Sequence, residues 1–159
     1  MPAWVLDENV FKRSLAAPCS DAPLDLDAAK VLDFVQTRGK WVFTNPIREA
    51  YLSNWRGATC KTPLSVRRFR SFLESMWDSE RHTLFGEVGI VDGRYHDDDE
   101  FIVSAAAAAG SGSILVTEDG RLRTRLVELG IAVEHGFSVV DIAGALAIQS
   151  NQAAGHRPA

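Results

Sequence analysis

Short apolar runs recur along the chain, each followed by a segment whose apolar residues fall three or four apart. The first run, Ala3-Trp-Val-Leu-Asp7, has no alternation and ends in an acid. A run of this kind predicts a strand buried on both faces of a sheet. Lys40-Trp-Val-Phe-Thr44, Val88-Gly-Ile-Val91, Ser113-Ile-Leu-Val-Thr117 and Ile131-Ala-Val133 repeat the signal. Between them lie helical patterns. Val31, Leu32, Phe34 and Val35 carry one, with Gly39 as its stop. Asn45-Pro46 opens another, because proline suits the first helical position, and on it lie Glu49, Tyr51, Leu52 and Trp55. Thr62-Pro63 opens a third, with a stripe at Val66, Phe69, Phe72, Leu73, Met76 and Trp77. Phe101, Ile102, Ala105 and Ala109 mark a fourth. Leu122, Leu126 and Leu129 mark a fifth, which Gly130 ends. Ser138-Val-Val-Asp141 has the form of a capping box opening a last helix to about Gln149.

Strands that alternate with helices imply an α/β fold: a three-layer α/β/α sandwich with a mostly parallel central sheet, Rossmann-like in plan. The 159 residues fit one domain over 1–150, followed by a polar, frayed tail over 151–159. The apolar fraction of 46% supplies a core, and no run has the length of a membrane-spanning helix. The first residues lack the basic start and long apolar region of a signal peptide, so a cytoplasmic protein with no membrane partner is expected. Cys19 and Cys60 are then expected as free thiols, and His82, His96, His135 and His156 show no zinc spacing.

The formal net charge of −4 argues against broad electrostatic attraction to nucleic acid. Its distribution matters more. Acids cluster at Asp25–Asp33 and Asp97–Glu100, and bases at Arg67, Arg68 and Arg70 and again at Arg121, Arg123 and Arg125. Arginine suits phosphate, so Arg67, Arg68, Arg70 and Arg121 are candidate RNA contacts, against the simpler reading of solvated helix faces.

In a parallel sheet the C-terminal ends of the strands share one edge, where ligands bind. Asp7 ends the first strand, and Asp119 lies just past the strand ending at Thr117. Asp99 begins the helix between two strands, and Glu49 sits one turn into the helix leaving the second. Four acids can therefore converge, although each has a simpler role: Asp7 and Asp119 as helix caps, Glu49 as a surface residue. Asp97 with Glu100 also matches a capping box, and either Asp97 or Asp98 can take the place of Asp99. Convergent carboxylates repel unless a cation compensates, and an all-oxygen donor set selects Mg²⁺ or Mn²⁺ over zinc. Such a site suits hydrolysis of a phosphodiester bond by an activated water.

Three blocks in order resemble the PIN-domain nucleases, which include the VapC-type toxins of toxin–antitoxin pairs. They are Val5-Leu-Asp-Glu-Asn-Val10, Asp99-Glu-Phe-Ile-Val-Ser-Ala-Ala and Ile114-Leu-Val-Thr-Glu-Asp119. Glu49-Ala-Tyr is a weaker fourth. The resemblance reaches to about Ser150. It implies a PIN-like fold, a metal-dependent endoribonuclease with Mg²⁺ or Mn²⁺, and metal coordination by Asp7, Asp99 and Asp119 with Glu49 as a further catalytic acid. Asn9, Thr117 and Asp98 would support them. RNA would be the substrate, a homodimer the assembly and an antitoxin a protein partner. The sequence departs from the family at Glu8, where a small residue is usual, and in a longer stretch between the second and third acids.

Two other classes compete. One is a PIN-like module without catalysis that binds RNA or protein. The other is a receiver domain or a haloacid-dehalogenase-type phosphatase. The phosphatase needs Asp-x-Asp where this chain has Asp7-x-Asn9, and the receiver needs a lysine ending its last strand, where Glu134 and His135 follow Val133.

Overall fold

The structure is a computed structural model, and it describes residues 2–15, 25–57, 62–75, 82–84 and 92–155. Five strands lie among them: β1 (Ala3–Leu6), β2 (Lys40–Phe43), β3 (His82–Leu84), β4 (Ile114–Val116) and β5 (Ser138–Val140). Between and after them run α1 (Glu8–Ser14), α2 (Leu26–Thr37), α3 (Asn45–Gly57), α4 (Pro63–Ser75), α5 (Glu100–Ala109), α6 (Gly120–Glu128), α7 (Ile131–His135) and α8 (Ile142–Gly155). All pairings are parallel, and the strand order is β3-β2-β1-β4-β5. This is the three-layer α/β/α architecture that the alternating pattern predicts.

The central strands explain themselves chemically. Trp4, Val5 and Leu6 of β1 are buried without alternation, because helices cover both faces. On one face α1 packs against α2 and α3, and α2 against α8. Elsewhere α5 lies on β1 and β2, while α6 and α7 lie against β5. Right-handed crossovers require this division, since the chain moves outward from β1 to β2 and β3, then returns past β1 to β4. An aromatic cluster fills the β2 side: Phe11 stacks on Tyr51 with centroids 4.1 Å apart, and Phe72 meets Phe11 edge-on at 4.7 Å.

The last third departs from the sequence expectation. Ile131–Val133 is not a strand but part of the single-turn helix α7, held between Gly130 and Gly136, whose φ values are +70° and +75°. Left-handed residues at both ends isolate one helical turn, and a three-residue apolar run cannot choose its own state. The fifth strand is Ser138–Val140, where a capping box was expected. Helix capping falls to Asp141, whose Oδ1 accepts from Gly144 N–H at 2.7 Å. Helix α8 then continues to Gly155, so residues 151–155 are helical and not a frayed tail. The expected strand at Val88–Val91, the stripe positions Met76 and Trp77, the two cysteines and His156 lie outside the described residues. The described third strand is β3, which pairs Trp41 with His82 and Phe43 with Leu84.

Candidate active site

The strand order reverses at β1. Its two neighbours, β2 and β4, are reached by crossovers in opposite directions, which opens a crevice at their C-terminal ends. The register brings two polar residues to that crevice. Leu6 pairs with Val116, and Asp7 N–H donates to Val116 O at 3.0 Å. Asp7 and Thr117 therefore leave the sheet side by side, and the Thr117 hydroxyl donates to Asp7 Oδ2 at 2.6 Å. Asp7 Oδ1 accepts from Glu8 N–H at 2.7 Å, so the same carboxylate caps α1. Asp7 is 3% exposed. Burial pushes its pKa up, against the two hydrogen bonds that favour the charged form; Glu8 and Asp119 add like charge.

Asp119 heads α6. Its Oδ1 accepts from the N–H groups of Arg121 (3.0 Å) and Leu122 (3.2 Å), and its own N–H donates to Thr117 Oγ1 at 3.1 Å. Thr117 thus joins the two acids through one hydroxyl. Asp99 precedes α5 and makes no capping bond with its side chain. Burial, then the charges of Asp7, Asp119, Asp97 and Glu8, push its pKa up to about 6. These three acids, from three segments far apart in sequence, lie within one another's electrostatic reach.

The loop that delivers Asp99 is anchored at its other end. Asp92 Oδ1 accepts from Arg94 Nε at 2.9 Å, and Asp92 Oδ2 lies 2.9 Å from His135 Nε2. The Arg94 guanidinium holds the Asp92 carboxyl far below the usual range, and also reaches Glu134 Oε2 (2.7 Å) and Leu129 O (3.2 Å). This knot ties the segment before α5 to the α6–α7 turn. Tyr95, 2% exposed, follows it. Burial and the charges of Asp99, Asp97 and Asp119 push its hydroxyl up to about 12.

Other candidates separate. Glu49 is exposed and is not among the charges acting on Asp7 or Asp99. Ile47 and Tyr51 are the buried positions of α3, and Glu49, two residues from each, points away from them. Glu8, which the sequence presents only as a departure from the family, acts on Asp7, Asp99 and Tyr51, and its Oε2 accepts from Asn54 Nδ2 at 3.1 Å. The Tyr51 hydroxyl donates to the carbonyl of Leu6, the residue before Asp7. Asn9 Oδ1 accepts weakly from Glu118 N–H at 3.4 Å. Asp98 is exposed and its N–H donates to Asp97 Oδ1 at 2.6 Å, but Asp97 is the neighbour whose charge reaches Asp99. The Asp97 capping box does not form: Glu100 N–H donates to the backbone carbonyl of Asp97 at 3.0 Å.

The arginines also divide. Arg68 is folded inward, donating to Ser14 O (2.5 Å), Ala29 O (3.3 Å) and Asp33 Oδ1 (3.2 Å). Arg67 and Arg70 are exposed on α4, and Arg67 lines a groove with Leu32 and Asp33 that contains none of the candidate acids. Arg121 is exposed on α6, next to Asp119.

An all-oxygen donor set with uncompensated charge is chemically suited to a hard divalent cation. Among the described residues, however, no three such side chains are placed to grip an ion together. Asp7 accepts from two donors and Asp119 from the first N–H groups of its helix, whereas Asp99 makes no capping bond with its side chain. Comparison with family models, curated proteins and solved structures gives no match to this chain.

Proposed function

We propose that the protein is a Mg²⁺- or Mn²⁺-dependent ribonuclease of PIN-like design. One observation carries this reading. Asp99 is a carboxylate with no capping bond, pushed up to about 6 in the company of Asp7, Asp119, Asp97 and Glu8, at the crevice where the strand order reverses. Like charges gathered without a compensating cation destabilise a fold, and such violations concentrate at functional sites. Asp7, Asp99 and Asp119 would hold the ion, which supplies charge compensation at the phosphate and an activated water when bound. Thr117 and the Glu8 N–H fix the Asp7 carboxylate, and the Leu6–Tyr51 bond fixes the backbone before it. The bound ion would offset the like charges that push the Asp99 carboxyl up. The buried Tyr95 hydroxyl stays protonated and adds no further charge beside the acids.

Purified protein should cleave single-stranded RNA with Mn²⁺, and Asp7→Asn and Asp99→Asn should each lower the rate by at least about a hundredfold. Cleavage retained by both variants would sink this assignment. A second reading, a binding module without catalysis, is favoured by the capping bonds of Asp7 and Asp119 and by the lack of a three-carboxylate grip among the described residues. It predicts RNA or protein binding with no heat of Mn²⁺ binding by calorimetry. The family resemblance extends the first reading to a homodimer and a protein antitoxin. Light scattering tests the former; a small DNA-binding protein encoded in the adjacent reading frame would support the latter.

A further inference from the structure

Helix α6 buries Leu122 and Leu126 and turns its other face outward. That face carries Arg121, Thr124, Arg125 and Glu128, spaced three and four residues apart, so their side chains form one row. The row lines an open groove of about 820 Å³ that also takes in Glu118 and Asp119. Arg123 is not part of it: its guanidinium is folded back and donates to Thr117 O at 2.7 Å. Among the described residues neither Arg121 nor Arg125 has a hydrogen-bonding or ion-pairing side-chain partner, whereas Arg13, Arg68 and Arg94 all pair with carboxylates. Glu118, the acid at the head of the groove, is engaged elsewhere, since its Oε1 accepts from Ile142 N–H at 2.7 Å. Arg125 stands near enough to Tyr95 for its charge to be felt there, which joins the groove to the acid cluster.

We propose that the α6 groove binds the phosphodiester backbone of a single-stranded nucleic acid, with Arg121 and Arg125 each engaging a phosphate and Thr124 donating between them, so that the strand is led toward Asp119. The chemistry fits. Guanidinium groups match phosphate oxygens, and a hydroxyl between them adds a donor. Contacts to the backbone position a strand without reading its sequence. Two arginines four residues apart on one helix face give successive phosphates a line to lie along. This inference rests on the ribonuclease reading for its substrate, but it stands on different residues.

The test is anisotropy of fluorescein-labelled U₁₂ RNA and dT₁₂ DNA in Ca²⁺ buffer across a salt series. Arg121→Gln/Arg125→Gln is compared with the wild type and with the charge-matched control Lys30→Gln/Arg38→Gln, whose residues are exposed on and just after α2. The α6 variant should bind U₁₂ at least about tenfold more weakly, and its log–log salt slope should fall by about 1.4, the value for two lost single-strand phosphate contacts. The control should bind like the wild type, and dT₁₂ should lose affinity in parallel with U₁₂. With Mn²⁺, the α6 variant should raise KM and leave kcat nearly unchanged. No binding by the wild type, equal affinity of the wild type and α6 variant, or equal loss in the control would each overturn the proposal. Binding that depends on α6 without Mn²⁺ cleavage would uphold the groove and reject the nuclease. Cleavage with affinity indifferent to α6 would do the reverse.

Discussion

At Asp99, burial and the charges of Asp7, Asp119, Asp97 and Glu8 all favour the protonated form, and the pKa rises from 3.8 to about 6. Between those values the folded chain holds a proton that the unfolded chain releases. Stability is therefore highest below the lower value, declines as pH rises through the window, and levels off above about 6 as far as this group is concerned. Asp7 shifts in the same direction and steepens the decline. Asp99 is half-buried, so solvent screening reduces its contribution to about 1–2 kcal/mol. Asp99→Asn removes the charge and keeps the shape. Its melting temperature should exceed that of the wild type by about 2–8 °C at pH 7.5, and the gap should shrink at pH 4.5. Equal or lower melting at pH 7.5 would show that the acids do not strain the fold. A substitution that ends catalysis while strengthening the protein is the signature of a site held at a cost to stability.

Elements place these residues with little tolerance. Trp4 of β1 is fully buried, and Gly39, just after α2, passes over its indole. A Cβ at Gly39 would lie 3.0 Å from Trp4 Cδ1 and 3.1 Å from Val35 Cα, and a backbone atom cannot swing aside. Gly39→Ala should cost about 1–3 kcal/mol, measured as a lower urea midpoint at unchanged slope. The glycine that looks in the sequence like a helix stop is needed for room as well. Strands β1, β2 and β4 were legible because central parallel strands are apolar throughout. Strand β5 was not, since Ser138 is exposed and Val139 and Val140 are only half-buried, as an edge allows. Asp7, Asp99 and Asp119 were legible because each sits where a strand ends or a helix begins. The position of Glu49 was equally visible, but its rotation about α3 was set by Ile47 and Tyr51 packing into the core. Glu8 and Tyr95 join the site only through the fold, so no local pattern announced them.

At the scale of the whole molecule, a cation that binds only the folded chain must stabilise it, by about 2.7 kcal/mol at one hundred times its Kd. Mn²⁺ should raise the melting temperature at pH 7.5 by about 5–10 °C, and by much less at pH 5, where protons compete for the same carboxylates. A rise of the same size at both pH values would point to binding away from these acids. The hydrogen bond between Thr117 and Asp7 spans 110 positions of the chain. During synthesis the first acid leaves the ribosome long before its partner strand exists. β1 has no β4 beside it, and the Asp7 carboxylate has no hydroxyl to hold it, until the chain has emerged through Thr117. The pairing of Asp7 with Thr117 is thus withheld from every shorter nascent chain, a delay set by strand order alone.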